Sequence, residues 1–112
     1  MLLPDPPDNL PDAPRAFYSA LREALLNLRP ADVREVEVDF GDSGVGVTIP
    51  HRREPDWTLG AQVSKRAAVV FAGSVATEHF DDRDPGWTGA AAAFVAAVLR
   101  GELEGIDFGE PA

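Results

Sequence analysis

The densest group of side chains able to do chemistry is Glu78-His79-Phe80-Asp81-Asp82, which holds one of the chain's two histidines. Glutamate, histidine and aspartate are all metal ligands in proteins. In a strand, however, His79 and its sequence neighbours point to opposite sides, so these ligands do not converge. A metal needs more convergent ligands than that. We therefore expect no metal here, but a strand end followed by an acidic helix start, with partner contact as the alternative.

Other motifs carry less chemistry. The segment Gly41-Asp42-Ser43-Gly44 matches the nucleophile loop of trypsin-like serine proteases, but a nucleophilic serine needs a base held by a third group. These residues join two alternating segments, so we interpret them as a turn. The basic clusters His51-Arg52-Arg53 and Lys65-Arg66 could hold phosphate through arginine forks, but we interpret them as solvated loops.

No glycine-rich phosphate loop or nucleotide fingerprint occurs in the sequence,. We therefore expect no cofactor. A catalytic carboxylate pair would need environments that push its two pKa values apart, and no pair is marked in this way, so the sequence favours a binding role over an enzyme.

Charge narrows the range of partners. Nineteen acidic residues and ten basic ones give a formal charge of −9. Such a field repels nucleic acid and anionic membranes and attracts a basic protein. The alternative interpretation is that the acidic surface only keeps the protein soluble. Nine of the ten bases are arginine, and alanine, glycine and proline are abundant, which is typical of GC-rich bacterial genomes.

The length of 112 residues corresponds to one domain, and the 45% hydrophobic content can fill its core,. The absence of cysteine excludes disulfides, thiolate zinc sites and a cysteine nucleophile,. The sequence contains no run of about 18 consecutive apolar residues, which a membrane-spanning helix requires. The first residues lack the basic region of a signal peptide, so the predicted location is the cytoplasm.

Residues 1–12 form a predicted extended arm rich in proline and aspartate, and residues 13–112 a single domain. The arm is either a disordered tail or lies across the domain through Leu2, Leu3 and Leu10. A first helix follows, with Asp12 as its predicted cap and Pro14 in its first turn. Its apolar side chains recur at helical spacing, namely Phe17, Leu21, Leu25 and Leu28.

Alternation predicts strands over residues 33–40, 45–49, 57–63 and from residue 67 onward. In the first of them Val36, Val38 and Phe40 share one face, and Glu35, Glu37 and Asp39 share the other. Residues 75–80 are predicted to continue the fourth strand after a kink at Gly73. Residues 103–108 are a candidate fifth strand.

The second helix has Asp84 as its predicted cap, Pro85 at its first position and Gly101 just past its end. It is apolar on all sides, so it is wedged between the sheet and the first helix, forms a homodimer, or leaves alanines at the surface. The candidate dimer face is Ala90, Ala93 and Ala97. The expected fold is α+β, an antiparallel sheet of four or five strands with both helices on one face.

A strand ending Glu78-His79-Phe80-Asp81, then a helix with Trp87, then Arg100-Gly101-Glu102, resembles small immunity-type proteins of GC-rich bacteria. The resemblance covers about residues 67–104. It implies an acidic α+β domain that blocks a secreted toxin, and it transfers no functional residue to this chain.

Three functional hypotheses follow. The leading one is a protein-binding module that masks a basic partner with the carboxylates of Glu35, Glu37, Asp39, Glu78, Asp81 and Asp82. The second is a small-molecule binder or minor enzyme with a pocket near Trp57, Phe71 and His79. The third is a homo-oligomer held by the second helix.

Overall fold

The computed structural model describes residues 1–109. Two helices flank a run of five strands along the chain. The elements are α1 (Asp12–Leu25), β1 (Glu37–Phe40), β2 (Val45–Ile49), β3 (Leu59–Val63), β4 (Ala67–Ala72), β5 (Ala76–Asp81) and α2 (Trp87–Leu99), with one turn of 3₁₀ helix at Pro55–Trp57.

The strands form one antiparallel sheet in the order β1-β2-β3-β4-β5. The predicted α+β class, with an N-terminal helix, an antiparallel sheet and a C-terminal helix, is confirmed. Short turns join β1 to β2, β3 to β4 and β4 to β5, because antiparallel neighbours need only a tight turn between them, and a longer loop with the 3₁₀ turn joins β2 to β3,. The two edges of the sheet are β1 and β5, which leaves both strands with one unpaired side among the described residues.

The fifth strand does not arise where the sequence predicted it. Residues 103–108 form no strand; they are a loop whose Ile106 and Phe108 are buried. Instead, β4 and β5 are separate strands, because the chain reverses at Gly73 rather than kinking there. Gly73 has a φ of +56° and donates its N–H to the Thr58 carbonyl, and a side chain here would overlap the Asp56 carbonyl. Only glycine adopts such a turn without strain.

The core lies between one face of the sheet and the two helices. The buried side of the sheet is a row of small and branched residues on β2, β3 and β4: Val45, Val47, Ile49, Leu59, Ala61, Val63, Ala68, Val70 and Ala72. The fully buried side of α1 presents Phe17, Tyr18, Leu21 and Leu25. Helix α2 packs against α1, β4 and β5, so its apolar character is explained by burial on two sides,.

The predicted helix caps at Asp12 and Asp84 are wrong. Pro11 occupies the N-cap of α1 and Gly86 that of α2, and neither helix has a side-chain cap bond. The predicted end of α2 is confirmed, because Gly101 follows it with a φ of +79° and donates its N–H to the Val98 carbonyl,. The third strand also begins later than predicted, since Trp57 belongs to the 3₁₀ turn.

The N-terminal arm packs along α1. Leu3 and Leu10 are buried, whereas Leu2 is exposed. The Tyr18 hydroxyl donates to the Pro4 carbonyl at 2.7 Å, and the Arg15 guanidinium donates to three carbonyls of the arm. In the described part of the chain, no helix has the length and apolar character that crossing a membrane requires.

Candidate functional site

The face of the sheet opposite the helices is left uncovered by residues 1–109. Strand register arranges its side chains in rows that run across all five strands. One row is Asp39, Gly46, Gln62, Val69 and His79, and the next is Glu37, Thr48, Gly60, Phe71 and Thr77. Throughout the text, these two rows together are called the open face.

Two glycines shape the open face. Gly46 lies on β2 and Gly60 on β3, so the middle of the sheet lacks two side chains. The Phe71 ring lies over Gly60 and fills that gap. No ring of a described residue fills the gap at Gly46, and an open groove of about 680 Å³ passes over it. The groove is lined on one side by Asp39 and on the other by Gln62, Val69 and His79.

The charge of the open face is one-sided. Its β1 edge carries the carboxylates of Glu37 and Asp39, and neither takes part in an ion pair with another described residue. No lysine or arginine lies on its two rows. The basic side chains nearest to these rows in sequence are Arg34, three residues before Glu37, and Lys65 and Arg66, in the turn between β3 and β4.

Glu35 lies outside β1, next to a bulge, although it is exposed as Glu37 and Asp39 are. Between Val33, which pairs with His51, and Glu37, which pairs with Thr48, the chain advances four residues against three on the partner segment. The extra residue is a bulge, which interrupts alternation.

The other three predicted contact carboxylates lie at the opposite edge of the sheet, on or after β5. Four strand spacings separate β1 from β5, roughly 19 Å. Glu78 is exposed but its register partner is Val70, so it lies on the helix side of the sheet. Asp82 is exposed in the turn after β5. The six carboxylates therefore form two separate groups.

Asp81 is already neutralised by a partner within the chain. The Arg83 guanidinium donates to its carboxylate at 2.8 Å, and the Arg83 backbone N–H donates at 3.0 Å. The Arg83 side-chain hydrogen bonds, followed by that of its backbone, lower the pKa of the Asp81 carboxyl below its usual range. Asp81 is therefore a weaker attachment point for a basic partner than Glu37 or Asp39.

The three predicted pocket residues do not meet in one cavity. Phe71 and His79 both lie on the open face, in adjacent rows, and His79 lines the groove. Trp57 does not line it. Its ring packs edge-on against His51, with 5.0 Å between ring centroids.

His51 is a structural residue rather than a ligand. It is fully buried between Trp57 and Phe108. Its Nδ1 accepts the backbone N–H groups of Arg53 and Glu54 at 3.1 and 3.0 Å, so Nδ1 carries no proton. Its Nε2 therefore carries the proton and donates to the Asp107 carbonyl at 2.8 Å,. The imidazole thus ties the C-terminal segment to the loop after β2.

The adjacent arginines of that basic cluster are occupied as well. Arg53 forms an ion pair with Asp32 at 2.7 Å, and Arg52 donates to the Val33 carbonyl at 3.3 Å. Phosphate binding at this cluster would have to displace these contacts.

The candidate dimer residues of α2 remain accessible in part, since Ala90 and Ala93 are exposed and Ala97 is half-buried.

Residues 1–109 contain no cluster of three or more histidine, cysteine or acidic side chains suited to a metal ion. Sequence reasoning missed Gly46, Gln62 and Val69, which line the groove together with Asp39 and His79. The available signal was a glycine in the interior of a strand, which marks a bulge, a bend or the close approach of another chain.

Comparisons with protein-family models, with curated proteins and with solved structures found no match to this chain.

Proposed function

We propose that this chain is a protein-binding module that masks a basic surface of its partner with the open face, in the manner of an inhibitor or immunity-type protein. The observation that carries the proposal is the uncovered open face with two carboxylates, Glu37 and Asp39, that no described residue neutralises. No lysine or arginine on its rows opposes them.

The wider charge of the chain supports the same role. A formal charge of −9 attracts a basic partner at long range and accelerates encounter,. Once the partner is close, the mixed character of the open face favours a protein over a free cation. Val69 and Phe71 are half-buried there and offer apolar contact beside the carboxylates, as the fully buried centres of protein interfaces do.

The test is affinity capture from a lysate of the cell that makes the protein, washed at low and at high salt. We expect one stoichiometric basic protein that is retained at low salt and lost at high salt, because salt screens exposed charges. The purified pair then permits measurement of the association rate, which should fall as ionic strength rises.

Two matched double variants identify the face. Glu37→Gln with Asp39→Asn removes two charges from the open face and should slow association and flatten its salt dependence. Asp8→Asn with Glu104→Gln removes two charges from exposed positions elsewhere, and it should slow association less. Equal effects of the two double variants, or binding that ignores salt, would refute the proposed face.

A small-molecule role is the second candidate, and the groove of about 680 Å³ is the observation that favours it. A thermal shift screen against metals and metabolites tests it, because a ligand of the native state raises the melting midpoint. The homo-oligomer hypothesis stays a prediction. Light scattering on a size-exclusion column tests it, and a strict monomer at high concentration would exclude it.

A further inference from the structure

Most glycines around the sheet are explained by the chain's own packing. A side chain at Gly44 would overlap the Val63 carbonyl, and one at Gly60 would overlap the Phe71 ring. Gly73 has a positive φ and the Asp56 carbonyl against it. At each of these positions a larger residue would have to displace a neighbour, so the fold itself accounts for the glycine.

Gly46 is different. A Cβ atom added here would lie 3.9 Å from the Asp39 Cβ and 4.0 Å from the Ala61 carbonyl oxygen, which are ordinary contact distances. Its φ is not positive. A glycine in a strand interior weakens the strand, because it pays a large entropy cost and packs no side chain. The chain's own packing therefore gives no reason for a glycine at this position.

The surroundings of Gly46 suggest what the vacant space is for. Gly46 is the register partner of both Asp39 and Gln62, so a carboxylate stands on one side of it and an amide on the other. The row continues to the half-buried side chain of Val69. A molecule that lies on Gly46 would touch backbone below, the Asp39 carboxylate at one end and the Gln62 side chain at the other.

We propose that Gly46 is the floor of a recess for an arginine side chain of the partner protein, with the guanidinium on Asp39 and its aliphatic stem over Gly46 beside Gln62. The inference rests on the proposed function and adds the identity of the contacting group. Arginine fits because its planar fork pairs with a carboxylate. Its three-carbon stem also lies readily along apolar surface.

The experiment uses the full chain and a fluorescent hexa-arginine peptide as the probe, with binding followed by anisotropy at low salt. Hexacitrulline, which has nearly the same shape without the charge, is the matched probe. Gly46→Val fills the recess and keeps every charge, and Asp39→Asn removes the carboxylate. Thr77→Val adds the same valine to an exposed position on the open face, and Glu104→Gln removes a remote charge. Thermal melting of each variant verifies that it is folded.

We expect the unmodified chain to bind hexa-arginine and not hexacitrulline. Gly46→Val and Asp39→Asn should each weaken binding about tenfold, which corresponds to the loss of one good contact. Thr77→Val and Glu104→Gln should change the affinity less than about twofold, well inside that tenfold step.

Two results would overturn the inference, and they differ in what they say of the proposed function. In the first, Gly46→Val binds hexa-arginine as well as the unmodified chain does, while Glu37→Gln with Asp39→Asn weakens binding. That result would refute the arginine recess and leave the proposed binding role of the open face in place. If the unmodified chain binds hexa-arginine no more tightly than hexacitrulline, the recess is wrong, and the proposed function is then decided separately by the salt-dependent capture of the partner.

Discussion

Replacing His51 by phenylalanine keeps an aromatic ring at a fully buried position and removes all three hydrogen bonds of the imidazole. The edge-on contacts with Trp57 and Phe108 can persist, because a phenyl ring has a similar shape. The substitution therefore isolates the polar part of the interaction. It leaves two backbone N–H groups and the Asp107 carbonyl without their partner.

A fully buried polar group left without a partner costs roughly 1–3 kcal/mol. The three groups here are only partly buried, and two of them shared one nitrogen, so water can replace some of what is lost,. We expect a loss of about 3 kcal/mol in the free energy of unfolding, a large part of the roughly 5–15 kcal/mol that is typical of a domain. At about 4 °C per kcal/mol, the melting midpoint should fall by roughly 12 °C.

The assay is urea unfolding followed by tryptophan fluorescence, with the midpoint and the slope fitted separately. A changed midpoint at constant slope reports stability rather than a changed unfolded state. The control is His79→Phe, the same substitution at the chain's other histidine, which is exposed. It should change stability by less than about 0.5 kcal/mol. A His51→Phe loss below about 1 kcal/mol, or equal losses in both variants, would refute the assigned role of His51.

Three further predictions concern stability. Gly46→Val should leave the free energy of unfolding unchanged or raise it by up to about 1 kcal/mol. Gly60→Val should lower the free energy of unfolding by about 1 kcal/mol, because the Phe71 ring must move aside,. Thermal melts compare the two variants, and a more stable Gly60→Val than Gly46→Val would contradict the geometry. Gly73→Ala should cost about 2 kcal/mol, since its φ of +56° is strained for alanine,, and a neutral result in urea unfolding would argue against the turn. Tyr18 is the single tyrosine, and burial raises the pKa of its phenol. Folding thus favours the neutral phenol, a contribution fully present below about pH 10 and lost as pH rises through the folded-state pKa. Absorbance at the tyrosinate band should titrate later in the folded chain than in urea, and coincident curves would refute the burial of Tyr18.

The proposals for function and for the recess are linked by charge but separable by shape. Long-range attraction depends on the net charge and tolerates the loss of any one carboxylate. The recess depends on one missing side chain, and Gly46→Val closes it without altering the field. The two substitutions Gly46→Val and Asp39→Asn therefore distinguish a steering surface from a specific contact.

Sequence patterns with a local physical cause were predicted well. The apolar spacing of α1 and the alternation of β2 reflect the periods of an isolated helix and strand, which do not depend on the rest of the fold. The end of α2 at Gly101 was found for the same reason, because the left-handed conformation of a helix end is a property of the glycine itself. The helix starts were missed, because Pro11 and Gly86 hold cap positions where an acidic side chain was expected.

Features that depend on contacts between distant segments were not predicted. A glycine flanked by strand residues is compatible with either a kink or a chain reversal. At Gly73 the chain reverses, with the Asp56 carbonyl packed close to the glycine. Alternation predicted a strand from Val33, but β1 begins only at Glu37, after a bulge that is set by pairing with the partner segment. His51 appeared to be part of a solvated basic loop, but its partner Asp107 lies 56 residues away in sequence.

The sequence by itself determined the class of this protein, α+β with a strongly acidic surface and no defensible catalytic motif, because composition and local periodicity carry that information. Only the tertiary structure decided which carboxylates stand together, which glycines the fold needs, and that Gly46 is not one of them. Those questions concern the register of strands and the space above a backbone, and both are set by residues far apart along the chain.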